Sequence, residues 1–152
     1  MDLFEYQGKE LFARAGIPVP TGRVARTPEE AVAAAAEVAP GAAVVLKAQV
    51  ATGGRGKVGG VKVVPAPADP PDVARVAAEI LSLSIKGEPV GALLVEPAAG
   101  IRAEYYAAVT FDRRAGAGLF LLSAAGGMEI EEAPEGAMAS THVDPLLGLA
   151  AY

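Results

Sequence analysis

Residues 44–64 read Val44-Val45-Leu46-Lys47-Ala48-Gln49-Val50-Ala51-Thr52-Gly53-Gly54-Arg55-Gly56-Lys57-Val58-Gly59-Gly60-Val61-Lys62-Val63-Val64. The apolar, largely β-branched residues at its two ends predict strands over residues 43–48 and 61–64, because such side chains fit a pleated sheet. The glycine-rich segment 52–60 between them predicts a loop, so the stretch is typical of a hairpin with a long, mobile tip. Glycines let a backbone approach an anion closely and point N–H groups at it.

Lys47 is the charged residue at the end of the first predicted strand. Burying an ammonium group is costly unless an anion meets it. One interpretation is that the strand lies at a sheet edge and Lys47 extends into solvent. The glycine-rich loop that begins five residues later favours the other interpretation, in which Lys47 binds phosphate.

The loop itself fits two known phosphate motifs poorly. Residues 54–59 match the pattern G-x-G-x-x-G, but in a dinucleotide-binding fold this motif opens a helix, whereas residues 61–64 predict a strand. A Walker A loop needs Ser or Thr where Val58 stands. An ordinary flexible hairpin tip is the competing interpretation.

The rest of the chain predicts a mixed architecture. Helices are predicted over 5–15, from Thr27 to Val38 and from Asp69 to Ile80, and strands over 21–25, 92–95, 105–111 and 119–123. Because helices fall between pairs of strands without a regular βαβ series, the fold class is α+β. The first helix has apolar Leu11 and Phe12 on one face, and residues 136–152 show no strong helix or strand pattern.

Composition narrows the class of ligand. The chain has 152 residues, a net charge of −5 and no Cys, which excludes disulfides, thiolate catalysis and Cys-ligated zinc. An acidic balance argues against nucleic acid as a partner. Arg55, Lys57 and Lys62, set among glycines, indicate a small anionic ligand instead. No leader-like or membrane-length apolar run is evident, so we expect a cytoplasmic protein without membrane association.

Acidic residues supply the remaining candidates. Glu96 ends an apolar strand just before 97–100, a segment whose backbone groups can meet an adenine edge, and Glu104 is placed to accept ribose hydroxyls. Solvated carboxylates are the competing interpretation for both. His142, the only histidine, is assigned no role. Glu129, Glu131 and Glu132 are interpreted as a solvated face rather than a metal site.

Together these motifs resemble the β subunits of succinyl-CoA synthetase, most closely the ADP-forming bacterial type. The resemblance is colinear, and the lysine followed by Gly-Gly-Arg-Gly-Lys is its most specific part. Its matching segments are residues 1–12, 16–20, 45–50, 53–62, 94–96, 104–106, 112–113, 129–132 and 144–145. Two departures lie beside the phosphate motif: Ala51-Thr52 replaces a stretch that often contains His, and Leu46 is inserted next to Lys47.

The resemblance implies an ATP-grasp fold with two α+β lobes around a nucleotide. Residues 21–99 would form the smaller lobe, and residues 1–20 and 100–152 part of the larger one. The implied site residues are Lys47, Gly54, Arg55 and Gly56 for the phosphates, Glu96 and the backbone to Ala99 for the base, and Glu104 for the ribose. Pro20 would lie near the base and is compatible with ATP; ADP belongs to the same site, and GTP is a further possibility.

The resemblance also implies what lies elsewhere. The family's partner is the α subunit, which carries the phosphorylated histidine, and its magnesium ligands are expected beyond Tyr152. We therefore predict no catalytic residue or metal ligand in 1–152, no turnover by these residues alone, and weak nucleotide binding at best. Two alternatives stay open: a related acyl-CoA ligase such as malate–CoA ligase, and a non-catalytic nucleotide-binding or subunit-interaction module.

Overall fold

A computed structural model of the chain describes residues 2–126, 136–144, 146 and 148. The chain forms two compact units, Met1–Ala99 and Gly100–Tyr152. The contacts of the first helix assign it to the first unit. The prediction that residues 1–20 belong with 100–152 in the larger lobe of a complete ATP-grasp fold stays a prediction.

The described helices and strands follow the order predicted from the sequence, with three additional strands. In chain order they are α1 Glu5–Arg14, β1 Arg23–Ala25, α2 Pro28–Val38, β2 Val44–Ala48, β3 Val61–Val64, α3 Pro70–Leu81, β4 Ser84–Ile85, β5 Glu88–Pro89, β6 Leu93–Pro97, β7 Tyr106–Asp112, β8 Ala117–Ser123 and β9 Met138–Val143. None of these helices has the length and apolar character needed to cross a membrane.

The first unit is built on a four-stranded antiparallel sheet with the order β1-β6-β2-β3. The predicted hairpin is confirmed, because β2 and β3 pair from Val44 opposite Val64 to Lys47 opposite Val61. β6 returns to lie on the other side of β2, with Val45 opposite Glu96. The strand that carries Lys47 is therefore central in the sheet.

One face of this sheet packs against α2 and α3 and forms the core. Fully burying a Val, Leu or Ile side chain contributes about 1.5–3 kcal/mol. Alanines in both helices keep their backbones close to the sheet, which agrees with the small residues that dominate the composition. The side chains of this core that are less than 2% exposed are Ala25, Ala31, Val44, Leu46, Ala48, Val73, Ala77, Ile80, Ile85, Leu93 and Val95.

Both core helices begin at polar caps. The Thr27 hydroxyl accepts a hydrogen bond of 3.2 Å from the N–H of Glu30, and the Asp69 carboxylate accepts one of 3.1 Å from the N–H of Asp72. Proline follows each cap, where its missing N–H has no helical partner to lose. These caps fix where α2 and α3 start and thereby which faces they turn to the sheet.

The first helix, α1, meets the sheet differently. Along its whole described length no residue is buried, and Leu11 and Phe12 stay 50% and 54% exposed. The apolar face predicted from these two residues is thus not the face that meets the sheet. The N–H of Tyr6 donates to Oε1 of Gln49 at 3.2 Å, and charged side chains make the other connections. α1 is held mainly by polar contacts.

The second unit contains the three-stranded antiparallel sheet β7-β8-β9. The two predicted strands and the turn between them are confirmed, since Tyr106 pairs with Ser123 and Asp112 with Ala117. Residues 136–152 show no strong strand pattern in the sequence, yet Met138–Val143 pairs with β8. This strand gave no signal because its residues 139–142 are all exposed, so no apolar alternation marks it.

Candidate functional site

Lys47 and Glu96 stand on the sheet face opposite the core. In β2 the buried residues alternate with Val45 and Lys47, and Lys47 lies directly opposite Leu94. Nζ of Lys47 reaches diagonally to Oε2 of Glu96 at 2.7 Å. Because β2 is flanked by strands on both sides, the interpretation of Lys47 as a sheet-edge lysine extending into solvent is wrong. The sheet gives Lys47 an anionic partner instead.

α1 adds two more charges to this face. Oε1 of Glu5 lies 3.0 Å from Nζ of Lys47 and 3.0 Å from Nζ of Lys9, which follows it by one helical turn. Lys9 also pairs with Glu96, whose side chain is only 2% exposed. Glu96 is thus buried between two lysines, which supply the compensating charge that a buried carboxylate needs.

Arg55 connects the glycine-rich loop to the same charges. Its Nη2 pairs with the Glu5 carboxylate, and its Nη1 donates to the carbonyl of Ala48 at 3.0 Å. We call the five residues Glu5, Lys9, Lys47, Arg55 and Glu96 the ion cluster. It contains three cations and two carboxylates, so its formal net charge is +1. A further anion is therefore favoured beside it.

The electrostatics keep the ion cluster charged. Burial on its own raises the pKa of Glu5, but hydrogen bonds from Lys9 and Lys47, with the charge of Arg55, overcome this and lower it to about 2. For Lys47, burial lowers the pKa, and hydrogen bonds to Glu96 and Glu5 outweigh it and raise the pKa above its ordinary range. Both groups are ionised at neutral pH.

The loop between β2 and β3 folds back on itself. The N–H of Gly60 donates to the carbonyl of Arg55 at 2.8 Å, and the N–H of Lys57 to that of Gly54 at 3.1 Å. Gly54 has φ +87°, a conformation that favours glycine. Among the described residues no hydrogen bond uses the N–H groups of Gly54, Arg55 or Gly56, so these remain for an anion.

Two further groups lie at this loop. The hydroxyl of Thr52, at its start, is buried and has no hydrogen-bond partner among the described residues. The Nζ atom of Lys86 lies 3.9 Å from the position a Cβ on Gly54 would take. Lys86 sits in the turn between β4 and β5 with φ +52°. A cation and an unused hydroxyl thus flank the loop.

A cavity of about 250 Å³ adjoins the ion cluster. Pro20 and Glu96, both predicted to lie near a base, line it together with Gly22. A Cβ on Gly22 would come within 2.8 Å of Cδ1 of Leu94, so glycine keeps this space open. Its other lining residues are Tyr6, Lys9, Glu10, Ala13, Val19, Thr21, Val24 and Leu94. The volume is slightly below the usual range for ligand pockets and matches part of a nucleotide better than a whole one.

The other predicted residues lie outside the ion cluster. Ala99 is exposed at the end of the first unit, and the N–H of Ala98 before it is used by the sheet, donating to Ala43 at 2.9 Å. Glu104 belongs to the second unit, where its side chain is exposed and its carbonyl accepts from Gly126 at 3.0 Å. Their roles toward base and ribose stay predictions.

No group of three Asp, Glu, His or Cys residues suited to a metal ion occurs among the described residues. Glu129, Glu131 and Glu132 lie outside them. His142 was assigned no role, and its Nε2 lies 3.0 Å from Oδ2 of Asp112, a contact that lowers the pKa of Asp112. This pair joins β9 to β7 and gives the histidine a structural partner.

Sequence reasoning missed Glu5, Lys9 and Lys86. Glu5 and Lys9 form an i,i+4 pair of opposite charge, which by itself is common on exposed helix faces. The sequence distance of 42 residues between Glu5 and Lys47 hides their contact. Lys86 precedes Gly87, a signal for a tight turn, but nothing local relates that turn to the glycine-rich loop.

Comparison with known proteins agrees with this arrangement. The family model described as an ATP-grasp domain matches residues 2–152. The chain is 46% identical to the β subunit of an ADP-forming succinate–CoA ligase from Rubrobacter xylanophilus, over 100% of the chain and 39% of that protein. It is 45% identical to the corresponding protein of Bacteroides thetaiotaomicron, over 100% of the chain and 40% of that protein. The chain thus spans about two fifths of the length of these relatives.

Solved structures show the same fold. A dinucleotide-forming acetyl-coenzyme A synthetase from Ca. Korarchaeum cryptofilum, in complex with coenzyme A, Ca-AMPCP and HgCl+, is 26% identical with a TM-score of 0.67, over 80% of this chain and 52% of that one. A Pyrococcus horikoshii protein is 24% identical with a TM-score of 0.71, over 93% of this chain and 58% of that one. The predicted α+β fold of the ATP-grasp type is confirmed.

Proposed function

The chain belongs to the ATP-grasp family, and we propose that it forms the phosphate-binding and base-binding part of the nucleotide site in the β subunit of an ADP-forming succinate–CoA ligase. The ion cluster with its formal charge of +1 carries this proposal. Its cations lie beside a glycine-rich loop that has unused backbone N–H groups. Similarity to succinate–CoA ligase β subunits over the whole chain supports the choice within the family.

The phosphates are assigned to Lys47, Arg55 and the backbone of the loop. Lys47 approaches from the sheet and Arg55 from the loop, and both contact the same carboxylate of Glu5, so their charged ends lie close together. An array of donors fixed in this way stabilises negative charge without having to reorganise. Gly54 and Gly56 allow oxygen atoms to approach the main chain. Lys86 adds a cation near Gly54.

The base is assigned to the cavity lined by Pro20, Gly22 and Glu96. The carboxylate of Glu96 is committed to Lys47 and Lys9, so we assign contact with the base to the backbone that follows it, as far as Ala99. Glu104 is assigned to the ribose. Adenine is the expected base, and guanine is the alternative.

For the whole protein we propose the reaction succinate + CoA + ATP = succinyl-CoA + ADP + phosphate, with an α subunit as partner and a place in the cytoplasm. The share of these residues is to bind and orient the nucleotide. Magnesium, when bound, neutralises phosphate charge and polarises the phosphoryl oxygens. We assign its ligands to the part of the relatives that this chain does not cover. A related ligase, such as a malate–CoA ligase, would differ in acyl substrate, which an assay of the longer protein with succinate and malate resolves.

The nucleotide site is tested by calorimetric titration of the 152-residue chain with ATP, ADP, GTP and adenosine. We expect weak binding that strengthens with phosphate number, and a loss of roughly tenfold or more for ATP in Lys47→Met and in Arg55→Met, since charge-assisted hydrogen bonds contribute about 1.5–3 kcal/mol. Arg75→Met, an exposed cation on α3, is the matched control. Adenosine binding as tightly as ATP, or equal losses in all three variants, would contradict the assignment.

A further inference from the structure

Glu5 occupies the position between the two side chains assigned to the phosphates. Its Oε1 atom lies 3.0 Å from Nζ of Lys47, and its Oε2 atom pairs with Nη2 of Arg55. These are the two side-chain cations that the resemblance assigns to the phosphates. The Glu5 side chain is 18% exposed, so solvent screens these contacts only in part.

We propose that Glu5 is a built-in competitor for nucleotide phosphate: its carboxylate holds Lys47 and Arg55 until a phosphate group displaces it. This inference rests on the proposed function, whose phosphate ligands it shares. It adds that α1, through Glu5, sets the affinity and the phosphate-number selectivity of the site.

Charge is the first reason. A di- or triphosphate carries several negative charges, whereas the ion cluster has a formal surplus of one positive charge with Glu5 in place. Two anions that share the same cations repel each other, and this repulsion is strong where water is partly excluded. When Glu5 leaves, the remaining four residues carry +2. The site thus gains a positive charge at the step at which the phosphate enters.

The second reason is that the departure of Glu5 leaves no buried charge alone. Glu96, which is 2% exposed, is paired with Lys47 and also with Lys9. When Lys47 turns to a phosphate, Lys9 still compensates Glu96. The ion cluster therefore has a second arrangement in which every buried charge is paired.

The third reason is the way in which α1 is attached. No residue along the described helix is buried, so Glu5 can withdraw without exposing core side chains. The hydrogen bond from the N–H of Tyr6 to Gln49 and the ion pairs of Glu5 and Lys9 connect it to the first unit. A withdrawal of the first turn breaks polar contacts that water or phosphate can replace.

The test compares Glu5→Gln with Glu37→Gln, which removes one carboxylate from α2, where it pairs with Arg23. Titrations of the 152-residue chain use ATP, ADP, adenosine and inorganic tripolyphosphate. We expect Glu5→Gln to bind ATP and tripolyphosphate about tenfold more tightly than the wild type, a change of ~1.4 kcal/mol. The gain should be smaller for ADP and absent for adenosine, whereas Glu37→Gln should match the wild type and Glu5→Asp, which keeps the charge, should show no gain.

The outcomes separate this inference from the proposed function. If the wild type binds ATP through Lys47 but Glu5→Gln binds it equally or more weakly, the competitor role is overturned and the nucleotide site stands. If Glu5→Gln changes the affinities for adenosine and ATP by the same factor, Glu5 only supports the structure of the site and the inference is again overturned. If neither the wild type nor Glu5→Gln binds ATP or tripolyphosphate, both proposals fail.

A second measurement needs no variant. Hydrogen exchange of the Tyr6 amide should become faster when ATP is added, because withdrawal of the first turn breaks its hydrogen bond to Gln49 while Lys9 stays paired with Glu96. Adenosine should leave this exchange unchanged. Slower exchange of α1 with ATP would show that the phosphate strengthens the attachment, and would overturn the proposal.

Discussion

Nζ of Lys47 lies 2.7 Å from Oε2 of Glu96, although the two residues stand diagonally across β2 and β6 rather than directly opposite. The direct neighbour of Lys47 is Leu94, and that of Glu96 is Val45. Each charged residue thus faces an apolar residue on the neighbouring strand, and the ion pair lies within the sheet. Such a pair is costly to break from one side, because the remaining charge stays buried.

Removal of the Lys47 charge alone should destabilise the first unit. In Lys47→Met, Glu96 retains only Lys9, and we expect a loss of roughly 1–3 kcal/mol in the free energy of unfolding, as for a buried polar group left short of a partner. The double variant Lys47→Met/Glu96→Gln should recover most of this loss. Urea unfolding followed by circular dichroism measures both, and strictly additive losses would contradict the pairing.

The stability of the chain should fall in acid partly through Glu5. Its pKa in the folded state is lowered from its ordinary value of 4.5 to about 2, so folding favours the ionised form. The contribution is complete above pH 4.5 and is lost as the pH falls through 2, and we expect it to reach about 1–2 kcal/mol after allowance for solvent screening. The difference in unfolding free energy between wild type and Glu5→Gln, measured from pH 6 to 2, should shrink over that interval. A difference that does not change with pH would contradict the ion pairs.

Gly60→Ala should distort the glycine-rich loop. A Cβ at this position would lie 2.8 Å from the backbone carbonyl oxygen of Arg55, which cannot turn aside as a flexible side chain can. We expect a destabilisation of about 1–3 kcal/mol, typical of overpacking, together with weaker ATP binding. Gly53→Ala is the matched control, because no atom lies within 4 Å of its added Cβ. Equal behaviour of the two variants would show that the loop does not close as described.

Lys86→Gln should weaken the binding of ATP without affecting adenosine. Its ammonium group lies near Gly54 but outside the ion cluster, so we expect a loss of roughly three- to tenfold that shrinks at high salt. Glutamine keeps most of the side-chain length and removes the charge. Calorimetry at two salt concentrations, with Arg75→Gln on α3 as control, measures the effect. An equal loss of affinity for adenosine would show that Lys86 supports the structure of the turn and does not bind phosphate.

Gly22→Ala should reduce the affinity for adenosine and ATP by the same factor. The added Cβ would come within 2.8 Å of Cδ1 of Leu94 and 3.1 Å of Cγ of Glu96, at the wall of the cavity assigned to the base. Leu94 can shift, but Glu96 is fixed by two lysines. Gly91→Ala, where nothing lies within 4 Å, is the control. A loss confined to ATP would place the phosphates, not the base, in this cavity.

The hairpin that carries the site could be predicted from the sequence, and the reason is local. β-Branched residues at both ends and the glycines between them specify two strands and a loop within 21 residues, 44–64. The phosphate role inferred for Lys47 rests on the same short range. No contact with the rest of the chain is needed to recognise these features.

The ion cluster could not be predicted, because it joins residues that are far apart in sequence. Glu5 lies 50 residues before Arg55, and the first helix looks amphipathic through Leu11 and Phe12. Apolar periodicity therefore indicates the wrong face, since charges and not core contacts attach this helix. β9 was missed for a related reason: exposed residues leave no pattern, and backbone pairing with β8 alone forms the strand.

Both outer strands of the four-stranded sheet are short. β1 has 3 residues and β3 has 4, and each carries a long cation, Arg23 or Lys62, that pairs with a helix carboxylate. A second chain that approached either edge would find few N–H and C=O groups to pair with and a charged side chain in the way. Edge-to-edge growth of this four-stranded sheet into fibres is thus disfavoured, even though its strands are rich in valine.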